Sequence, residues 1–174
     1  MRLIKLIFTG LAGMFAVVTI MSLLIPADIT VSRSALINSN NCTAVIKQVS
    51  NLGNWKNWHP LFAQQGNIRF TNPSAGELQR CEILYGNKKA VLAITASTDS
   101  TVNFVLRAQG EDDIQNQVLI TPIAGQQNIK AEWRAYHHLQ WYPWQKFYGI
   151  FIDKLTGPSY EQGLQGLKEY FEKG

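Results

Sequence analysis

The sequence predicts an α+β domain: an antiparallel sheet of about seven strands with a long C-terminal helix laid on it, preceded by one membrane-spanning helix. Three observations carry this. Residues 1–27 hold a long uncharged apolar run, residues 67–139 alternate β-branched and aromatic stretches with short turn signals, and the last thirty residues show helical apolar spacing.

The leader, "MRLIKLIFTGLAGMFAVVTIMSLLIPA", carries no charge from Leu6 to Ile25. Those 20 residues make about 30 Å of helix, the thickness of a bilayer core. The run is apolar on every face, unlike a striped core helix. Arg2, Lys5 and the terminal amine precede it and the next basic residue is Arg33. The positive-inside rule therefore puts the N-terminus in the cytoplasm and the rest of the chain outside it, as a single-pass protein of the inner (cytoplasmic) membrane. The lack of a clean A-x-A site and the length of the run favour an uncleaved anchor, 1–27, over a cleaved signal. The whole chain has 174 residues, 46% of them hydrophobic, so with the leader set aside residues 28–174 have room for one well-cored domain.

The elements of that domain follow in order. "DITVSRSALI" places Ile29, Val31, Arg33, Ala35 and Ile37 on one face of a first strand. "NSNNCTAVIKQVSN" offers Asn and Ser caps before a short helix that stops near Gly53. A second short helical or turn segment, "NWKNWHPLF", is expected to end at Pro60. Six strands follow in "NIRFTN", "LQRCEILY", "AVLAITAS", "TVNFVLRAQ", "IQNQVLITPI" and "IKAEWRAYHHL"; their short links favour a meander, to which the first strand adds a seventh. In the final segment Tyr160, Leu164, Leu167 and Phe171 recur at intervals of four, three and four, with a break or kink expected at Gly157-Pro158.

Charge and motif content exclude several functions. Without Arg2 and Lys5 the domain has 14 basic against 12 acidic residues, a net charge of +2. These are scattered, and "EDD" at 111–113 breaks any patch begun by Arg107, so nucleic acid is not an expected partner. His137 and His138 are strand neighbours that point to opposite faces, which removes a shared metal site. There is no G-x-S-x-G elbow, P-loop or G-x-G-x-x-G, so hydrolase and nucleotide readings lose their usual entry, and no metal or cofactor is expected. Cys42 and Cys81 face an oxidising compartment in this topology; two buried free thiols are the simpler reading, and a bridge the alternative.

"SALINSNNCTAVIKQVSNLGNWKNWHP", with its strand, I-N turn, short helix and W-x-x-W-x-P, resembles the opening of the START-like (SRPBCC) superfamily, in its polyketide cyclase/dehydrase-like branch. "FIDKLTGPSYEQGLQGLKEYFE" is similar to the final helix of that branch, and together the resemblance spans residues 28–173. "NSNN" departs from it where a proline is usual. The resemblance implies the helix-grip fold of bacterial relatives that often carry an N-terminal membrane segment: a curved sheet gripping the C-terminal helix over a cavity for lipids, sterols, quinones or polyketides. It thus implies an anchored binding module for a hydrophobic small molecule or lipid. A ligand-free interaction or structural module, with an unidentified protein partner, is the alternative. A cyclase-like enzyme, working through acid/base groups among Arg80, Glu82, Arg107, Glu132 and Arg134, is a third reading; no catalytic residue is singled out.

The expected lining is Trp58, Leu84, Phe104, Leu106, Trp133, Phe147 and Phe151. The inward register on the strand 101–109 is Val102, Phe104, Leu106 and Ala108, with Arg107 outward. On the last strand it is Ile129 to Leu139 by twos, leaving Glu132 and Arg134 to solvent. "LQRCEILY" is ambiguous: if Leu78 and Leu84 face inward, Arg80 and Glu82 reach the cavity and could meet a polar head group. Trp55 and Trp58 share one face of a helical turn, either as packing or as the cavity mouth, and His59 is a lone imidazole suited to a backbone hydrogen bond. The cluster "WYPWQKFYGIF" at 141–151 either packs at the join of strand and helix or forms a lid or membrane-facing patch.

Overall fold

The computed structural model describes residues 2–63, 67–86 and 88–173. It has the predicted architecture: an apolar helix α1 (Arg2–Leu23), then strand β1 (Asp28–Asn38), short helix α2 (Cys42–Val49), a 3-10 turn at Leu52–Asn57, α3 (Pro60–Ala63), and strands β2 (Ile68–Thr71), β3 (Gln79–Tyr85), β4 (Lys88–Ser97), β5 (Thr101–Ala108), β6 (Ile114–Pro122) and β7 (Asn128–His138). The chain finishes in the 31-residue helix α4 (Pro143–Lys173).

The curved sheet is fully antiparallel, with strand order β1-β7-β6-β5-β4-β3-β2. The meander of six strands follows the chain, and β1 returns to pair with β7 from Asp28↔His138 to Asn38↔Asn128. Its free edges differ. β2 has four residues and presents little template for another strand, whereas β1 is flanked by α4. A register shift between Ile94 and Ala96 bends β4 against β5.

Alternation dictates the core face. Val31 and Ile37 of β1, Cys81 and Ile83 of β3, Val102 and Phe104 of β5, Val118 and Ile120 of β6, and Ala131, Trp133 and Ala135 of β7 are all buried. Tyr160, Leu164 and Leu167 of α4 close over them and Phe171 packs at their edge.

Local chemistry explains the helix starts. Asn41 Oδ1 accepts from Ala44 N at 2.9 Å, so asparagine caps α2 within the "NSNN" turn. Asn51 repeats the device on Gly53 N ahead of the 3-10 turn. Pro60 opens α3 rather than ending a helix, since a proline at the first helical position has no N–H to lose.

The expected interruption of α4 does not occur: the helix is continuous through Pro158. Lys154 and Pro158 both lie on the exposed side, so the Lys154 carbonyl that loses its helical donor faces water. Both cysteines are free, Cys42 half-buried at the start of α2 and Cys81 buried in β3. α1 leaves most of its apolar side chains exposed and is long and apolar enough to cross a membrane.

Candidate functional site

Two spaces lie between sheet and helix. The first is the helix-grip core, where Trp55, His59, Phe62, Phe104, Trp133 and Tyr160 surround a cavity of about 60 Å³. Their rings touch throughout: Trp55 to Phe104 at 5.2 Å edge-on, Phe104 to Trp133 at 5.4 Å, and Trp133 to Tyr160 at 5.2 Å between centroids. Each buried indole N–H has an acceptor. Trp55 donates to the Val49 carbonyl at 2.8 Å, and Trp133 donates to Asn116 Oδ1 at 2.9 Å, with Asn116 Nδ2 in turn donating to the Ile114 carbonyl. The core is thus closed by a satisfied network.

His59 belongs to this network. Its ring stacks on Trp55 at 5.4 Å and its Nδ1 accepts from Leu61 N at 3.3 Å, the backbone role expected of it. Burial pushes its pKa down to about 4, so the imidazole is neutral at physiological pH.

The glycines of α4 keep this core shut. A Cβ at Gly163 would press on Trp133 and His59, and one at Gly166 would overlap the Trp58 carbonyl. Helix and sheet approach so closely here that no space remains for a lipid; small-molecule sites run from about 300 Å³ upwards.

The second space is a groove of about 830 Å³ under the first half of α4. The β5–β6 turn (110–113), His137 at the end of β7 and Leu139 just beyond it form one wall. Tyr142, Trp144, Tyr148, Ile152 and Thr156 form the other. Gln145 spans the gap, with Nε2 donating to Asp112 at 3.0 Å and Oε1 accepting from Gln140 N at 3.0 Å. His137 is buried beneath the helix, its Nε2 has no hydrogen-bond partner among the described residues, and burial lowers its pKa. His138 points the other way and meets Asp28 at 2.7 Å. Among the described residues no group of three His, Cys, Asp or Glu side chains is arranged to hold a metal.

Of the expected lining residues, Phe104, Leu106 and Trp133 surround the small core cavity. Trp58 is buried but lies under Gly166, beside a surface hollow with Pro60 and Tyr170. Leu84 is corrected to the outer face, because Cys81 and Ile83 took the inward register of β3 and a one-residue slip reverses every side chain. Arg80 and Glu82 go with it. Arg80 donates to Ser74 Oγ at 2.9 Å and pairs with Glu77 at 3.3 Å, while Glu82 pairs with Lys89 at 2.6 Å, which holds its carboxyl below the usual range. Neither reaches the core. Phe147 is half-buried on the flank of α4 and Phe151 is exposed on its outer side, so neither lines the cavity.

Glu132 and Arg134 lie on the face away from the core, as their register required. Arg134 at 2.6 Å and Lys130 at 2.8 Å hold the Glu132 pKa down to about 2. The outer Arg107 bridges Glu77 at 2.6 Å and Asp113 at 3.1 Å. Sequence reasoning missed the groove, together with Asn116 in the core. Asn116 was legible as a polar residue in the inward register of β6, between Ile114 and Val118.

An antiparallel sheet wrapped on a C-terminal helix defines a fold class rather than a chemistry. No protein-family model and no curated protein sequence matches the chain. Solved structures do share its fold. A Thermobifida fusca protein is 14% identical, with a TM-score of 0.62 over 83% of this chain and 93% of its own. A Thermus thermophilus protein is 13% identical, with a TM-score of 0.61 over 83% and 98%. An uncharacterized Bacillus thuringiensis protein is 11% identical, with a TM-score of 0.59 over 83% and 99%. At such identities the likeness extends to the fold alone.

Proposed function

We propose that this chain is a membrane-anchored binding module of the START-like kind, in which residues 1–27 anchor an extracytoplasmic domain of residues 28–174. It holds an apolar small molecule or lipid between sheet and C-terminal helix. The observation that carries the reading is the groove under the first half of α4. Its volume of about 830 Å³ falls in the range of small-molecule sites. Leu139, Tyr142, Trp144, Tyr148 and Ile152 offer an apolar body one side of the groove, Glu111, Asp112 and Asp113 make its opposite rim polar, and His137 is a polar group without a partner among the described residues at its floor. The START-like resemblance and the apolar α1 support the same reading.

Native mass spectrometry of the full chain released from detergent micelles tests this. The expected result is a co-purifying mass in the lipid or quinone range that is lost in Thr156→Trp, which fills the groove, while the unfolding temperature of the variant is maintained. An empty wild-type chain that also takes up no fluorescent fatty acid or sterol would overturn it. The closed aromatic core favours the second reading in that event: an interaction module that uses the fold without a ligand.

A further inference from the structure

Helix α4 carries two apolar stripes of the same spacing. Tyr160, Leu164, Leu167 and Phe171 recur at four, three and four residues and pack on the sheet. Trp144, Tyr148, Phe151 and Leu155 repeat that spacing sixteen residues earlier, which at 100° per residue is about 160° round the helix. The first stripe is therefore on the core side and the second faces outward. Trp144, Phe151 and Leu155 are 65%, 55% and 59% exposed, and Trp141, just before the helix, is 60% exposed. A contiguous aromatic and aliphatic surface of this kind on a folded domain marks an interaction site.

The chain path identifies what covers it. Four residues link Leu23, the end of α1, to Asp28, so at most about 18 Å separates the end of the apolar helix from the first strand. Asp28 pairs with His138, which places the end of β7 and the start of α4 at that same end of the domain. There the buried Lys146 donates through Nζ to the Ile25 carbonyl at 3.2 Å, fastening α4 to the link. Asp153 is the one acidic residue between Trp141 and Leu155 and it pairs with Arg33 at 2.9 Å, so this stretch of α4 presents phospholipid headgroups with no unpaired carboxylate. Tryptophan and tyrosine are the residue types that settle at a membrane–water interface.

We propose that the outer face of α4 between Trp141 and Leu155 rests in the headgroup region of the bilayer that α1 crosses. The domain then lies against its own membrane with the groove, whose wall includes Trp144 and Tyr148, opening at the lipid surface. The proposal rests on the membrane-anchored reading above and adds the surface by which the domain docks.

The test reconstitutes the full chain into phosphatidylcholine–phosphatidylglycerol vesicles with and without brominated acyl chains, and compares it with Trp141→Phe/Trp144→Phe. Both replaced side chains are exposed, so the fold is kept. The difference emission between the two chains is expected to be blue-shifted and quenched in brominated vesicles, while the emission of Trp55, Trp58 and Trp133, left in the variant, is not. Alkaline carbonate extraction of the same vesicles separates the two ways of failing. A chain retained by the vesicles whose difference emission is unquenched, as it would be if a protein partner or a second copy covered the stripe, overturns the docking surface and leaves the anchor. A chain released by carbonate overturns the anchor and the docking surface with it.

Discussion

Gly166 of α4 lies directly against the backbone carbonyl of Trp58, with no room for a Cβ between them. This contact seats the C-terminal half of the helix on the W-x-x-W segment. A peptide carbonyl moves less readily than a side chain. We therefore expect Gly166→Ala to destabilise the domain by roughly 1–3 kcal/mol, the usual cost of overpacking, in spite of the better helix propensity of alanine. Gly157 is the contrast. The nearest atoms to a Cβ there are those of the Arg33 guanidinium, which pairs with Asp153 at 2.9 Å near the surface. That head can shift, so Gly157→Ala is expected to change stability by less than about 1 kcal/mol. Denaturant unfolding of the two variants side by side checks the difference.

His59 should make stability depend on acid. Its folded-state pKa of about 4 lies below the ordinary 6.5, so the unfolded chain binds a proton first. The contribution is fully present above pH 6.5 and is lost as pH falls from 6.5 towards 4, amounting to about 3 kcal/mol. His137, also lowered by burial, acts in the same direction. Urea unfolding across this window should show the loss, and His59→Phe should flatten most of it; an unchanged slope in that variant would contradict the assignment.

Cys81 should be chemically silent in the native state. Burial pushes its thiol up to about 12, so almost no thiolate exists at pH 8. With iodoacetamide under native conditions, half-buried Cys42 is expected to react first and Cys81 only on unfolding. Peptide mapping after timed labelling reads this directly, and early modification of Cys81 would be the contrary result.

Phe104 separates a closed core from a ligand cavity. Truncation to alanine should cost roughly 3–5 kcal/mol. It should also enlarge the space of about 60 Å³ to about the 150 Å³ at which a dry apolar cavity admits benzene. Benzene is then expected to raise the unfolding temperature of Phe104→Ala and leave that of the wild type unchanged. An equal rise in both would mean that the wild-type core already opens to ligands.

The sequence by itself determined the element order, the apolar first helix and the inward register of β1, β5 and β7, because each rests on a period that a single segment displays. It was also sufficient for the backbone role of His59 and the outward placement of Glu132 and Arg134. Only the tertiary structure decided the register of β3, where Leu84 and Ile83 are equally apolar and the choice depends on β4, against which Cys81 and Leu92 pair. The same holds for the size of the core cavity. Phe104 and Trp133 read as the lining of a space when each is seen on its own strand, yet they fill that space once Gly163 and Gly166 let α4 descend onto the sheet and the W-x-x-W segment. Volume is a property of how elements approach one another, and no local pattern in the chain encodes it.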